Sequence, residues 1–154
     1  MLISHRGIEH GITTDASFIG ARISAVECTR GCTDCFNQYL KEMPIIQSPL
    51  DGILKAVVDH PLDIGIILGG LEWTERPFEM TQLIEEAVKR SLLVMLYTSM
   101  ERDAFEQLFP NLTELPIWVK FGAYDNTKKS YYDEVNDVTL AGENQYIIRY
   151  GEIE

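Results

Sequence analysis

Apolar positions along this chain alternate between the two-residue spacing of strands and the three-to-four-residue spacing of helices. The stretch Arg22 to Glu27 reads as a short strand. Ser48-Pro49 followed by Leu50, Ile53, Leu54, Val57 and Val58 supplies an N-cap, a proline in the first turn and one apolar helical face. Leu62 to Leu68 is a buried-strand pattern ending at Gly69-Gly70, and Met80, Leu83, Ile84, Ala87 and Val88 repeat the helical spacing. The apolar run Leu92 to Tyr97, a helix around Arg102 to Phe109 closed by Pro110, and the strand-like Ile117 to Phe121 continue the alternation. The segment from Asn126 to Gly142 is polar and irregular, with room for one short element, and Tyr146 to Arg149 forms a last strand.

Apolar strands that each precede an amphipathic helix predict an α/β protein with a mostly parallel sheet, whose ligands bind at the carboxyl ends of the strands. The length of 154 residues and 45% hydrophobic content suit a single domain covering 1–154. A formal charge of −11 disfavours nucleic acid and anionic membrane surfaces as partners. No apolar run has the roughly 20 residues of a membrane span, and Met1 to Gly20 lacks the features of a signal peptide. A cytoplasmic protein is expected.

Chemistry enters with the cysteines. All three, Cys28, Cys32 and Cys35, fall in one loop directly after a predicted strand. Three thiolates at Cys-x3-Cys-x2-Cys spacing can hold three irons of a [4Fe–4S] cluster and leave the fourth iron open to a ligand. A structural zinc site is one alternative, and it needs a fourth ligand such as His5, His10 or His60, none at a familiar spacing from the cysteines; three buried structural cysteines with no ligand are another. Gly69-Gly70 at a strand end permits close backbone approach of a ligand, or marks a plain turn. Thr98 and Ser99 end another strand, where their hydroxyls serve either a ligand or a helix cap. Lys120 is a candidate partner for a carboxylate or a solvated lysine. Trp73 and Trp118 fit a core or a partner-facing role.

The cysteine spacing is the signature of the radical S-adenosylmethionine superfamily, which this sequence therefore resembles. Cys35-Phe36-Asn37 is similar to the segment after the cluster in anaerobic ribonucleoside-triphosphate reductase activating proteins. Gly20-Ala21-Arg22, Leu96-Tyr97-Thr98, Val119-Lys120-Phe121-Gly122-Ala123-Tyr124 and Leu140-Ala141-Gly142-Glu143-Asn144-Gln145 resemble further motifs of that family. The resemblance runs from about Gly20 to Gln145. It implies a shortened, open (βα) partial barrel whose cluster binds S-adenosylmethionine at the unique iron. An external low-potential donor such as flavodoxin would supply one electron, and the resulting 5′-deoxyadenosyl radical would remove hydrogen from a glycine of an anaerobic ribonucleotide reductase. The superfamily's Gly-Gly-Glu motif recognises the methionine amino group; here the chain reads Gly69-Gly70-Leu71-Glu72, so either Glu72 serves through a bulged loop or the glycine backbone makes the contact alone. Asp34 falls where the main chain of the family meets the adenine. Two alternatives stay open: another small radical enzyme acting on a different glycyl-radical protein or metabolite, and a non-catalytic zinc- or cluster-binding module.

Overall fold

The computed structural model describes residues 1–28, 38–125 and 127–151. The chain is an α/β protein built on a mixed six-stranded sheet. Its central strands, β3 (Gly20–Ala25), β5 (Gly65–Gly70), β6 (Leu93–Tyr97) and β7 (Trp118–Phe121), run parallel to one another. The outermost strands, β2 (Ile8–Ile12) beside β3 and β10 (Tyr146–Arg149) beside β7, are antiparallel. The expected mostly parallel sheet is thus parallel only at its centre, and it does not close into a barrel, since β2 and β10 are opposite ends of the strand order. Outside this sheet, β1 (Leu2–His5) pairs with β4 (Ile46–Pro49), and β8 (Tyr131–Asp133) pairs with β9 (Val138–Leu140).

Helices α1 (Leu50–Asp59), α2 (Pro77–Lys89) and α3 (Arg102–Leu108) each bury one stripe. Leu54, Val57, Met80, Leu83, Ile84, Ala87 and Phe105 join one core with Ala21, Ile23, Ile66, Leu68, Val94, Leu96, Val119 and Phe121 of the parallel strands. Because strand side chains alternate between faces, the residues between these point the other way. There Ile67 and Met95 meet Ala16 and Phe18 in a second, smaller cluster that contains no helix residue. The helices therefore cover one face, and the other face is left for Arg22, Gly69, Tyr97 and Lys120.

Local chemistry moves several boundaries. Ser48 is not an N-cap: it lies in β4 opposite Ile3, its Oγ 2.9 Å from His5 Nε2, and Pro49 takes the capping position without a side-chain bond. The strand expected over Leu62 to Leu68 begins at Gly65 and includes both glycines. The irregular stretch before Gly142 contains the β8–β9 hairpin, turned through Asp133, whose Oδ1 accepts from the backbone N–H groups of Val135 and Asn136. Among the described residues no helix is long and apolar enough to cross a membrane.

Candidate functional site

A cavity of about 390 Å³ opens at the carboxyl ends of the parallel strands. Cys28, three residues beyond the end of β3, lines it together with Gly69, Gly70, Glu72, Thr98 and Lys120, so residues singled out separately from sequence share one wall. Cys32, Cys35 and Asp34 lie outside the described residues, as do Phe36 and Asn37.

The two glycines do different things. Gly70 has φ +81°, and a Cβ there would stand 2.9 Å from Ser24 Cβ and 3.0 Å from Leu40 Cδ1. Its missing side chain makes room for β3 and Leu40, rather than for a ligand. At Gly69 an added Cβ would meet only Tyr97 Cδ1, at 3.9 Å. Gly69 is the position where a side chain would enter the cavity at no cost to packing.

Leu71, the residue that separates the glycines from the acid, is buried in the main core, and the Glu72 N–H donates to the Glu27 carbonyl at 2.7 Å. Leu71 is thereby taken up by the core and Glu72 still reaches the cavity wall. Its Oε1 accepts from Ser99 N at 2.8 Å and Ser99 Oγ at 2.7 Å. Its Oε2 accepts from Thr98 Oγ1 at 2.8 Å, Thr74 Oγ1 at 2.7 Å and Thr74 N at 3.3 Å. Thr98 Oγ1 also accepts from Met100 N at 3.1 Å. The hydroxyls of Thr98 and Ser99 are thus spent on Glu72, and the three residues form one polar knot that joins the ends of β5 and β6.

Lys120 is buried rather than solvated; its Nζ donates to the Gly122 carbonyl at 2.9 Å and lies 5.7 Å from the Tyr97 ring centroid. Tyr97 donates to the Asp15 carbonyl at 2.6 Å, and burial, with help from the Asp15 charge, pushes its phenol well above the ordinary range. On the same wall Arg22 pairs with Asp15 at 2.9 Å and Glu9 at 2.8 Å. Asn144 and Gln145 close the far side: Gln145 Nε2 donates to the Gly122 carbonyl, its Oε1 accepts from Gly142 N, and Asn144 Nδ2 donates to the Ala123 carbonyl. Gly122 permits this with φ +100° and the Asn144 carbonyl 3.0 Å from where its Cβ would be. Tyr124, the last residue of the motif over 119–124, also lines the cavity, as does Asp15, which belongs to no motif read from the sequence.

The histidines do not gather at Cys28. Both ring nitrogens of His5 are engaged, Nε2 with Ser48 Oγ and Nδ1 by the Gly7 N–H at 3.1 Å, and burial lowers its pKa. His10 and His60 contact Asp63 next to the start of β5, at the end of the sheet opposite Cys28. Trp73 is core, with its indole N–H on the Ile23 carbonyl at 3.0 Å, while Trp118 packs beside Phe18 under the Arg149 guanidinium.

Fold and site together define an α/β protein with a half-covered mixed sheet and, beside a cysteine at the strand ends, a cavity whose wall mixes polar side chains and glycines with Leu40, Leu71 and Leu140. Compared with models of known protein families, with curated proteins and with solved structures, the chain matches none.

Proposed function

We propose that this chain is a radical S-adenosylmethionine activating enzyme, in which Cys28, Cys32 and Cys35 hold a [4Fe–4S] cluster and the cavity takes S-adenosylmethionine. The observation that carries the reading is the sharing of one cavity by Cys28, Gly69 and Glu72, which come from two separate strand ends. A half-buried thiol facing a cavity fits a thiolate-ligated cluster, and the cysteine spacing leaves one iron free for substrate. Helices on one face of four parallel strands, with the cavity on the other side, suit a shortened open partial barrel. The cluster, when bound, would supply the electron that breaks a carbon–sulfur bond.

The chain's own residues do the rest. The Gly69 backbone, free of a Cβ, allows the methionine portion to lie against β5. The carboxylate of Glu72, on the same wall, holds Thr98 and Ser99 in place and sets a negative charge near the substrate ammonium without bonding to it directly. Lys120 and Tyr97 form the floor, excluding water from the reacting atoms. One electron and one S-adenosylmethionine give methionine and a 5′-deoxyadenosyl radical. That radical takes a hydrogen atom from the α-carbon of a glycine, leaving 5′-deoxyadenosine and a glycyl radical on the partner. The partner proposed is an anaerobic ribonucleotide reductase, with flavodoxin or a donor of similar potential as the electron source.

Anaerobic reconstitution with iron and sulfide, followed by reduction with S-adenosylmethionine present, should release 5′-deoxyadenosine. Co-incubation with an anaerobic ribonucleotide reductase should then give a glycyl-radical doublet by electron paramagnetic resonance. A protein that takes up one zinc on its cysteines and no sulfide would overturn the reading. Release of 5′-deoxyadenosine with no doublet on any reductase would remove the partner and keep the chemistry.

A further inference from the structure

A second group of ligand-type side chains sits at the opposite end of the sheet. His10 lies on edge strand β2 beside Gly11, where the register with β3 shifts and Gly11 adopts φ +69°. His60 caps the C-terminus of α1, and Asp63 follows in the connection to β5. The Asp63 side chain is fully buried. Its Oδ1 accepts from the Gly11 N–H at 2.8 Å, while Oδ2 stands 2.5 Å from His10 Nδ1 and 3.7 Å from His60 Nδ1. The two imidazoles stack with centroids 4.5 Å apart and planes 8° from parallel, and one donor atom from each of the three residues falls within 4.8 Å of the others.

We propose that His10, His60 and Asp63 bind a divalent transition metal ion of the zinc class. Burying a carboxylate is expensive without a cation or a full set of hydrogen bonds, and the groups converging on Oδ2 are two imidazoles, which are also metal ligands. Two imidazole nitrogens and one carboxylate oxygen suit zinc, nickel or copper better than magnesium or calcium. The backbone N–H on Oδ1 fixes the carboxylate so that Oδ2 alone faces the histidines, as an outer-sphere hydrogen bond does for a monodentate ligand. Both rings are about one-third exposed, at 32% and 29% of the side chain, so an ion has a route in and water can complete its coordination. The ion displaces the proton between His10 Nδ1 and Asp63. It also exchanges for the 3.2 Å bond from Leu62 N to His60 Nδ1, which lies on an exposed loop. Bound there, it fastens edge strand β2 to the chain entering β5 and stabilises the native state by mass action.

The cysteines would also take zinc, so the test separates the two sites. In a Cys28→Ser/Cys32→Ser/Cys35→Ser variant, calorimetric titration with zinc should show one ion per chain, and cobalt should give ligand-field bands without thiolate charge transfer. Zinc should raise the melting temperature of that variant. His60→Ala, altered only at a part-exposed ring, should keep the parent's far-UV spectrum and weaken zinc binding more than about 100-fold. In the cluster-loaded parent the site is read as one zinc per chain beyond the iron, absent in His60→Ala. No uptake at millimolar zinc in either protein, or equal uptake by His10→Ala and His60→Ala as by their parent, would overturn the proposal and leave the three residues a hydrogen-bonded tie. The outcomes in the triple-serine variant do not depend on whether the cysteines carry an iron–sulfur cluster.

Discussion

Five hydrogen bonds converge on Glu72, against about four lone-pair sites on a carboxylate. The Thr74, Thr98 and Ser99 hydroxyls can rotate, but the backbone N–H of Ser99 cannot turn away. Glu72→Gln keeps the volume and replaces one acceptor oxygen with an NH₂, which then confronts fixed donors. The variant should lose about 1–3 kcal/mol in urea denaturation, retain its iron and sulfide, and respond more weakly to S-adenosylmethionine in the spectrum of the reduced cluster. Unchanged stability would show that the knot does not hold the strand ends. Little of this was legible beforehand. In the sequence a single residue sets the acid apart from the glycine pair, and the effect of that spacing depends on Leu71 packing into the core, a contact that local sequence does not encode. Asp63 is marked in the sequence only by His60 three positions before it, because its nearer partner His10 is 53 positions away.

At the scale of elements, β5, β6 and β7 were readable because each is an apolar run buried on both faces. β1, β2 and β4 were not, being short and largely exposed or half-exposed outside Ile3 to His5. Nor does periodicity give direction, so the antiparallel edges β2 and β10 could not be told from further parallel strands. The same limit applies to Gly69-Gly70: both were visible at a strand end, but which one faces the cavity depends on the pleat. Gly70→Ala forces a Cβ against Ser24 and Leu40 at a positive φ. It should cost about 2–4 kcal/mol, from left-handed strain of roughly 1–2 kcal/mol plus overpacking. Gly69→Val places its branches in the cavity instead. That variant should fold, load its cluster, and bind S-adenosylmethionine at least about tenfold more weakly. If Gly69→Val binds and cleaves like the parent, the substrate does not lie on β5.

Over the whole molecule, stability and chemistry occupy different parts of the structure. The main core runs unbroken through β3, β5, β6, β7 and all three helices, and Cys28 touches only its margin. The cavity sits at the strand ends, where polar and glycine residues share the wall with Leu40 and Leu71 of the core and with the buried Leu140. It follows that a cluster held by the three cysteines would not be a structural staple. The sheet and its helices should form before metal arrives, in contrast to small domains that fold only on binding zinc. The Cys28→Ser/Cys32→Ser/Cys35→Ser variant should therefore unfold cooperatively, within about 1 kcal/mol of the metal-free parent, while losing all iron and all 5′-deoxyadenosine production. Phe105→Ala supplies the opposite case. Phe105 is fully buried where α3 meets Phe109 and Phe121, so its truncation should cost about 3–5 kcal/mol, with residual iron content following the folded fraction. Urea denaturation alongside iron and sulfide analysis reads both quantities on the same samples. A triple-serine variant that behaves as an unfolded chain would mean that the cysteine loop is part of the folding core, and the separation argued from the packing would be wrong.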